Sequence, residues 1–187
     1  DAVYLTRNLV NTPHSDMTPA HLAEVGKALA GKYKAKVHVT KGEILEKEFP
    51  AIHAVGKSGA TPPCLIELNW GNPKHKKLTL VGKGVCFDSG GYDLKSSPHM
   101  LIMKKDMGGA AHVLGLASLI MSQNLNFNLT VLISAAENLV NEHAFKPGDI
   151  INTRKGLTVE VGNTDAEGRL VLSDALTYAC EKKPDLL

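Results

Sequence analysis

Residues 163–170 of the chain read N-T-D-A-E-G-R-L and place two carboxylates and a guanidinium at alternate positions. Residues 157–161, just before them, alternate apolar and polar side chains as a β-strand does. If the extended path continues, Asp165, Glu167 and Arg169 lie on one face, because strand side chains repeat every two residues. Two carboxylates so close repel each other unless a cation lies between them, and a guanidinium suits an anion. The ordinary alternative is a solvated charge cluster at a polar strand end.

Two further segments combine glycines with side chains that bind ions. In residues 81–91 a strand runs into a small-residue turn, with Lys83 inside the strand and Asp88 at its exit. Ligands of α/β sheets usually bind at such carboxyl ends. Asp106 precedes a long apolar helix, where capping the helix is its ordinary role. Lys95 lies in the loop between the two segments, and a loop lysine is ordinarily only solvated.

Together the three clusters supply four carboxylates, more than one hydrolytic metal ion requires. Two metal ions that share bridging carboxylates use them naturally. Carboxylate-rich sites suit magnesium and manganese, and zinc also accepts carboxylates. The sequence has no H-E-x-x-H motif and its eight histidines are scattered, which argues against a histidine-dominated zinc peptidase site. We interpret His99 and His112, which lie near the clusters, as structural or surface residues.

Length and composition exclude several classes of protein. The 187 residues are 43% hydrophobic and 21% charged, with a formal net charge of +2. This suffices for one domain with a core, but so small a charge does not argue for nucleic acid. Cys64, Cys86 and Cys180 are widely spaced, without a C-x-x-C pair, as in a protein of a reducing compartment. There is no apolar run of membrane-spanning length and no signal-peptide profile, so we expect a soluble, cytoplasmic protein.

Alternating helical and strand patterns predict the layers that position these clusters. Thr18 is expected to cap a helix that begins at Pro19 and ends near Gly31. Further strands are predicted at residues 37–39, 64–70, 78–85 and 129–135, and further helices at residues 44–49, 108–121 and 170–180. This alternation predicts a three-layer α/β/α fold with a mixed β-sheet.

The antiparallel part of that sheet is expected to come from a hairpin. Residues 64–70 and 78–85 flank the turn sequence at residues 71–73, which suits such a pair. The last residues, 184–187, resemble the opening of one more strand, and a domain seldom ends there. We therefore expect the numbered chain to be a fragment whose sheet and site are completed by further residues.

Three segments together resemble the catalytic domain of the leucyl aminopeptidase family, the dinuclear-metal cytosol aminopeptidases. Residues 163–170 match the family's N-T-D-A-E-G-R-L signature completely. Residues 81–91 and 103–111 match its other metal-binding segments in sequence, order and spacing, and the similarity extends from about Arg7 to the last residue. On this resemblance, residues 1–187 form the N-terminal part of the metallo-aminopeptidase catalytic domain. The resemblance further implies that the domain is incomplete at its C terminus and that the numbered chain lacks the family's preceding N-terminal domain.

The resemblance implies which side chains hold the metals. Two divalent ions are expected, zinc or manganese, with magnesium and cobalt as alternatives. The implied ligands are Lys83, Asp88, Asp106, Asp165 and Glu167. Of these, Asp88 and Glu167 are expected to bridge the two metals. Lysine donates a lone pair only as the neutral amine, and a neighbouring dication lowers its pKa enough to allow this.

The resemblance also implies the catalytic and substrate-binding side chains. Lys95 and Arg169 are the implied catalytic residues, Lys95 by stabilising the oxyanion and Arg169 by holding a bicarbonate that acts as general base. Lys95, Met103 and Asp106 are the implied contacts to substrate. Met103 matches a position that lines the pocket for the substrate's first side chain, although by its sequence it is equally well a core methionine.

The activity implied is a metal-dependent aminopeptidase that removes the N-terminal residue of a peptide, preferably leucine or another apolar residue, by a two-metal mechanism. Its expected partners are peptide substrates and further copies of itself, in a homohexamer, with no membrane and no nucleic acid. Two alternatives belong to other classes: a DNA-binding or regulatory relative, and a non-catalytic structural paralogue. Retention of all seven expected metal-binding and catalytic residues argues against the paralogue.

Overall fold

Seven α-helices and six β-strands follow one another in the structure, a computed structural model that describes all residues from 1 to 187. The helices are Ala2–Asn11 (α1), Pro19–Tyr33 (α2), Glu43–Glu48 (α3), Pro50–Gly56 (α4), Ser97–Met100 (α5), Gly108–Ser122 (α6) and Glu167–Glu181 (α7). The strands are Lys36–Lys41 (β1), Cys64–Gly71 (β2), Lys76–Asp88 (β3), Phe127–Asn138 (β4), Ile150–Asn152 (β5) and Thr158–Glu160 (β6). Two 3-10 helices, Met103–Met107 and Thr164–Ala166, precede α6 and α7.

Four strands form one mixed sheet in the order β1-β2-β4-β3. β1 pairs antiparallel with β2, β2 antiparallel with β4, and β3 parallel with β4. β5 and β6 form a separate antiparallel pair. The carboxyl ends of β3 and β4 therefore reach the same edge of the sheet, with Asp88 opposite Asn138. That edge is where ligands of parallel strands usually bind.

The predicted hairpin of residues 64–70 with 78–85 is wrong, because β4 lies between β2 and β3. β4 has the longest uninterrupted buried run of any strand, residues 131–138, and a central place gives it a neighbour on each side. At the end of β2 the chain turns tightly at Gly71, where φ is +97° and a Cβ would lie 2.0 Å from the Phe127 carbonyl oxygen. Glycine tolerates both the positive φ and the close approach. The antiparallel pairing comes instead from β2, which pairs with β1 and β4.

Helices cover both faces of the sheet and enclose a hydrophobic core on each side. One core contains apolar side chains of α1, α2 and α6, and the other contains those of α3, α4 and α7. The two groups meet different faces of β4: Val131 and Ile133 belong to the first core, and Leu132 to the second. This alternation is the period of two expected for a strand buried on both sides. The predicted three-layer fold with a mixed sheet is confirmed.

Most of the predicted helices and strands are present. As predicted, Thr18 caps α2, since its side chain accepts from the His21 N–H. The helices α1, α4 and α5 and the strand β5 were not predicted from the sequence. α1 packs on α6, where the Thr6 hydroxyl donates to the Ala111 carbonyl over 3.2 Å. Its outer face leaves Val3 and Tyr4 exposed, whereas Leu9 is buried.

Two smaller expectations concern the chain's end and its cysteines. Leu186 forms a single parallel bridge with Leu78 of β3, and the Thr79 N–H donates to the Leu186 carbonyl. Residues 184–187 thus lie beside the sheet edge in the direction of a parallel strand. All three cysteines are free thiols. None of the helices combines the length and apolar character needed to cross a membrane.

Candidate metal centre

The octapeptide of residues 163–170 is helical, and the predicted extension of the strand through it is wrong. β6 ends at Glu160, and the 3-10 helix Thr164–Ala166 leads directly into α7. The Asn163 side chain stops the strand, because its Oδ1 accepts the Asp165 N–H over 2.7 Å in an Asx turn. Helical geometry then separates the acidic pair from the guanidinium: Glu167 is 1% exposed, whereas Arg169 faces solvent.

Lys83 connects two of the acidic side chains. Its Nζ lies 2.7 Å from Asp106 Oδ2 and 2.7 Å from Glu167 Oε1. These three residues come from the middle of β3, the 3-10 helix before α6 and the first position of α7. Asp106 does not cap α6 as its position suggested, since Met107 is the N-cap and no side chain bonds the helix start. Its carboxylate is turned toward the lysine instead.

Lys95 connects the other two acidic side chains. Its Nζ lies 3.0 Å from Asp88 Oδ2 and also donates to Asp165 Oδ1. Asp88 also has a structural role, since its Oδ1 accepts the Gly90 N–H over 2.8 Å in an Asx turn. Each lysine thus holds one acid from the β3 and α6 segments and one from the octapeptide.

Three carboxylates converge closely enough to share a cation. One oxygen each from Asp88, Asp106 and Glu167 lies within 4.8 Å of the other two. Asp88 and Glu167 are buried and Asp106 is half-buried. Asp165 is not among the three, and it remains beside Lys95. The sequence analysis named all four acids, and the structure brings three of them into one group.

The electrostatics of the group show the cost of holding these charges together. Burial, and then the negative charge of Asp88, raise the pKa of Glu167 to about 7 against the opposing effect of Lys83. Burial works to lower the pKa of the Lys83 ammonium, but its contacts with Asp106 and Glu167 outweigh burial and raise that pKa. Burial also works to lower the pKa of Lys95, but its contacts with Asp165 and Asp88 outweigh burial and raise that pKa well above the ordinary value.

The residues present fit a metal ion. Asp106 Oδ2 and Glu167 Oε1 are buried atoms without a hydrogen-bond partner, although Lys83 Nζ is close to both. Buried carboxylate oxygens without hydrogen bonds are costly, and hard divalent cations prefer such oxygen ligands. These two oxygens, which have no partner other than the Lys83 ammonium, support a cation here over and above the clustering of acids.

A glycine makes the approach of Lys83 possible. A Cβ on Gly168 would lie 2.7 Å from Cε and 2.8 Å from Nζ of Lys83. Such distances are too short for carbon contacts, so any side chain at this position would displace the end of the lysine. The glycine of the N-T-D-A-E-G-R-L signature thus lets α7 begin directly against the centre.

Two polar residues that the sequence analysis did not single out tie the site together. Asn138 Nδ2 donates to Asp88 Oδ1 over 2.8 Å and to the Thr164 carbonyl over 3.0 Å. The Thr164 hydroxyl donates to the Gly90 carbonyl over 2.7 Å and accepts the Asp93 N–H over 2.8 Å. Both side chains are fully buried. A signal existed for Asn138: a polar residue that closes an apolar parallel strand lies at the ligand-binding edge.

The remaining two expected site residues do not touch the carboxylate group. Arg169 is exposed and lines a separate cavity of about 360 Å³, together with Glu160, Asn163 and Ala166. Met103 is half-buried at the first position of the 3-10 helix that carries Asp106. Neither Arg169 nor Met103 is therefore part of the group formed by the three carboxylates.

An apolar cavity opens beside Lys95. It has a volume of about 510 Å³ and is lined by six residues, of which Phe87, Leu94, Met100 and Leu101 are apolar. Leu94 and Leu101 are themselves largely exposed. Lys95 Nζ is thus within reach of both the carboxylates and a surface that suits an apolar side chain.

Comparison with known proteins identifies one family. The sequence model of the catalytic domain of the cytosol aminopeptidase family matches residues 4–187. A probable cytosol aminopeptidase of Clostridium perfringens is 46% identical over 183 residues, which cover 96% of this chain and 37% of that protein. One from Chlamydia trachomatis is 48% identical over 184 residues, with the same coverage.

Solved structures agree with the sequence comparison. The cytosol aminopeptidase of Coxiella burnetii superposes with a TM-score of 0.98 at 54% identity, over 99% of this chain and 41% of that one. A leucine aminopeptidase of Caenorhabditis elegans gives 0.94 at 39% identity, over 97% of this chain and 37% of that one. The bottromycin maturation enzyme BotP, solved in complex with Mn, gives 0.92 at 37% identity, over 98% of this chain and 40% of that one. The chain thus spans about 37% of the length of the curated relatives it matches.

Proposed function

Because the chain belongs to the cytosol aminopeptidase family, we propose that the protein is a metal-dependent aminopeptidase that hydrolyses the N-terminal peptide bond of its substrates. The observation that carries the proposal is the group formed by Asp88, Asp106 and Glu167, whose oxygens converge within 4.8 Å. Asp106 Oδ2 and Glu167 Oε1 are buried, and their one partner is Lys83 Nζ, 2.7 Å from each. Buried carboxylate oxygens with no other partner suit a hard divalent cation.

Five residues, whose side chains lie next to one another around the ammonium groups of Lys83 and Lys95, would hold two divalent metal ions: Lys83, Asp88, Asp106, Asp165 and Glu167. The chemistry that bound metals would supply is polarisation of the scissile carbonyl and a lower pKa of a bound water molecule. Zinc or manganese suits this mixture of carboxylate and amine ligands, and the relative BotP was solved with Mn. The Lys83 amine must lose a proton to act as a ligand, because only the neutral amine has a free lone pair.

Lys95 would supply the fixed positive charge of the reaction. Its ammonium is held between Asp88 and Asp165 and keeps its proton, since these contacts raise its pKa. A cation fixed in place before reaction stabilises the oxyanion that forms when the carbonyl is attacked, because no reorganisation is needed at that moment. In this proposal, Lys95 is the catalytic residue that the chain itself contributes.

Arg169 would hold a bicarbonate that acts as general base. Its guanidinium makes no ion pair within the chain and faces solvent at the edge of its own cavity. The planar fork of a guanidinium suits a planar oxyanion. An exposed arginine that has no ion-pair partner in the chain, two residues after Glu167, supports this assignment.

The substrate's first side chain would be apolar, with leucine preferred. The cavity beside Lys95 supports this preference through its four apolar lining residues. Met103 is proposed to line the same region of the substrate site, and Asp106 to lie near the substrate's free amine. Both residues belong to the 3-10 helix that borders the centre.

We further propose that residues 1–187 form the N-terminal part of the catalytic domain of a cytoplasmic homohexamer. The match of the catalytic-domain model to residues 4–187 supports the domain assignment, and the names of the relatives support the location. Gel filtration with light scattering on the full-length protein would test the hexamer, and a monomeric mass would contradict it.

Hydrolysis of a leucyl anilide tests the proposed activity. The full-length protein is stripped with a chelator, and zinc, manganese, cobalt or magnesium is added back. We expect activity to be lost on chelation and restored by at least one metal. Failure of every metal to produce hydrolysis, in protein that remains folded, would contradict the proposal.

A further inference from the structure

Asn138 joins the two segments that carry the acidic side chains. It is the last residue of β4, is 0% exposed and lies in register with Asp88. Its Nδ2 donates both to Asp88 Oδ1, over 2.8 Å, and to the Thr164 carbonyl, over 3.0 Å. One amide group therefore spans from the end of β3 to the turn that holds Asp165.

The amide determines which oxygen of Asp88 faces the centre. Asp88 Oδ1 accepts two hydrogen bonds, from Asn138 Nδ2 and from the Gly90 N–H, each 2.8 Å long. Its Oδ2 receives neither of these, and it lies 3.0 Å from Lys95 Nζ. One oxygen is thus occupied by the fold, and the other remains for the site.

We propose that Asn138 is a positioning residue of the metal centre. It fixes the Asp88 carboxylate so that Oδ2 is the oxygen left free for a metal, and it holds the Thr164 turn that leads to Asp165, beside Lys95, and to Glu167, beside Lys83. The inference rests on the proposed metal-dependent function. Partners of metal ligands commonly act in this way, since they orient a carboxylate before the metal arrives.

The chemistry of asparagine is required at this position. Both of its partners are acceptors, a carboxylate oxygen and a carbonyl oxygen, and the two N–H bonds of one amide group satisfy both, whereas a hydroxyl has only one hydrogen to donate. A lysine would donate as well, but it would add charge and length inside a fully buried site. An aspartate would place a carboxylate oxygen, which has no hydrogen to donate, against the Asp88 carboxylate oxygen and the Thr164 carbonyl oxygen. Asn138 Oδ1 has no hydrogen-bond partner, so the fold tolerates an unsatisfied acceptor in order to keep the two donors in place.

The nearly isosteric substitution Asn138→Asp tests the proposal in the full-length protein. Asn141→Asp is the matched control, because Asn141 Nδ2 also donates to a carbonyl, that of Ser58 over 2.9 Å, but contacts none of the proposed ligands. The probe is Co²⁺, followed by its dissociation constant and by its visible absorption spectrum. We expect Asn138→Asp to weaken Co²⁺ binding about 10- to 100-fold and to change the spectrum, and Asn141→Asp to change neither.

Folding is checked by circular dichroism, and Asn138→Ala, which adds no charge, is measured alongside in case Asn138→Asp does not fold. A folded Asn138 variant with unchanged Co²⁺ affinity and spectrum would overturn the positioning role, even if its melting temperature fell. Absence of Co²⁺ binding by the wild-type protein would instead overturn the proposed metal centre, and the role of Asn138 with it.

Discussion

Helix α7 carries two buried carboxylates with opposite environments. Glu167, at its first position, is 1% exposed, and Asp174, two turns later, is 0% exposed. Both carboxylate oxygens of Asp174 accept hydrogen bonds from the backbone. Oδ2 accepts the Ala51 and Ile52 N–H groups, and Oδ1 accepts the Arg154 N–H group. Glu167 Oε1 has no hydrogen bond and faces two further acids.

The difference separates a carboxylate that serves the fold from one that serves a ligand. Asp174 joins α7 to the start of α4 and to the segment after β5 through three backbone donors, at 2.8, 3.3 and 2.8 Å. Such bonds stabilise the charge of a buried carboxylate. Burial raises the pKa of both carboxyls, but in Asp174 these three bonds oppose the rise. In Glu167 the charge of Asp88 adds to burial, and the pKa reaches about 7. Burial alone therefore does not indicate function, whereas burial with missing partners does.

The largest effect is expected for Glu167→Gln. The substitution keeps the shape of the side chain but removes a metal-binding charge, so leucyl-anilide hydrolysis should fall about 1000-fold or more. Thermal stability of the metal-free protein should not fall, because a repulsive charge is removed. Parallel measurement of metal content and melting temperature checks both. Undiminished activity would contradict the site and remove the contrast between the two carboxylates.

Asp174→Ala is expected to have the opposite profile. Three backbone N–H groups lose their acceptor in a buried place, which should lower the free energy of unfolding by about 3 kcal/mol. Urea unfolding measures this loss. Asp149→Ala is the matched control, since Asp149 also accepts a backbone N–H but at an exposed position, and it should cost less than about 1 kcal/mol. A loss of metal binding by folded Asp174→Ala protein would contradict the division of roles.

Lys95→Ala separates catalysis from metal binding within the site. Removal of the fixed ammonium should lower kcat about 100-fold, with a smaller change in metal content. Lys182→Ala provides the control, because Lys182 also pairs with a buried carboxylate, Glu67, at 2.9 Å but lies outside the centre. Its kcat should equal that of the wild type. Lost metal with preserved turnover per metal would show that Lys95 holds the ligands and does not act on substrate.

Gly168→Ala should change stability and metal binding in opposite directions. Alanine is favoured over glycine in helices by up to about 1 kcal/mol, so α7 should not weaken. The new Cβ would meet Lys83 Cε at 2.7 Å and displace it, which should weaken metal binding about tenfold. Gly31→Ala in α2 is the control, because a Cβ there meets nothing within 4 Å. Equal metal affinity in both variants would contradict the tight approach.

Much of the site could be predicted because its chemistry is local in sequence. Lys83, Asp88 and Asp106 each lie in a short segment, and although each residue alone has an ordinary structural explanation, the three segments together match the metal-binding segments of one family. Asn138 could not be identified as a site residue in the same way, because its role depends on the register of two strands that are far apart in the chain. Its position opposite Asp88 follows only once β3 and β4 are known to be parallel neighbours.

The errors in the predicted fold have local physical causes. The alternation in residues 157–161 correctly indicated β6, but the Asn163 Asx turn ended the extended path before the acids were reached. The hairpin prediction assumed that a short loop joins paired strands. Here the turn at Gly71 carries the chain past β4, which takes the central place because its side chains are buried on both faces.

The smallest effect expected is a pH dependence that distinguishes the two carboxylates. In the metal-free protein the folded pKa of Glu167 is about 7, above the value of about 4.3 for an unperturbed glutamate. Between these values the folded state keeps a proton that the unfolded state has lost. Stability is therefore greatest below the unfolded pKa and declines as pH rises toward 7. The decline should be on the order of 1 kcal/mol, measured by urea unfolding of chelated protein at pH 5 and 7.5.

Glu167→Gln should remove that decline, because the amide does not titrate. Asp174 also has a raised pKa, since burial outweighs its backbone hydrogen bonds, so its contribution has the same sign. It begins at the lower pKa of an unfolded aspartate and persists in the Glu167→Gln protein. Metal should reverse the trend, because a proton and a cation compete for the same Glu167 oxygen and rising pH favours the cation. Equal slopes for chelated wild-type and Glu167→Gln protein would mean that Glu167 is already ionised in the empty site, and that the contrast with Asp174 lies in hydrogen bonding alone.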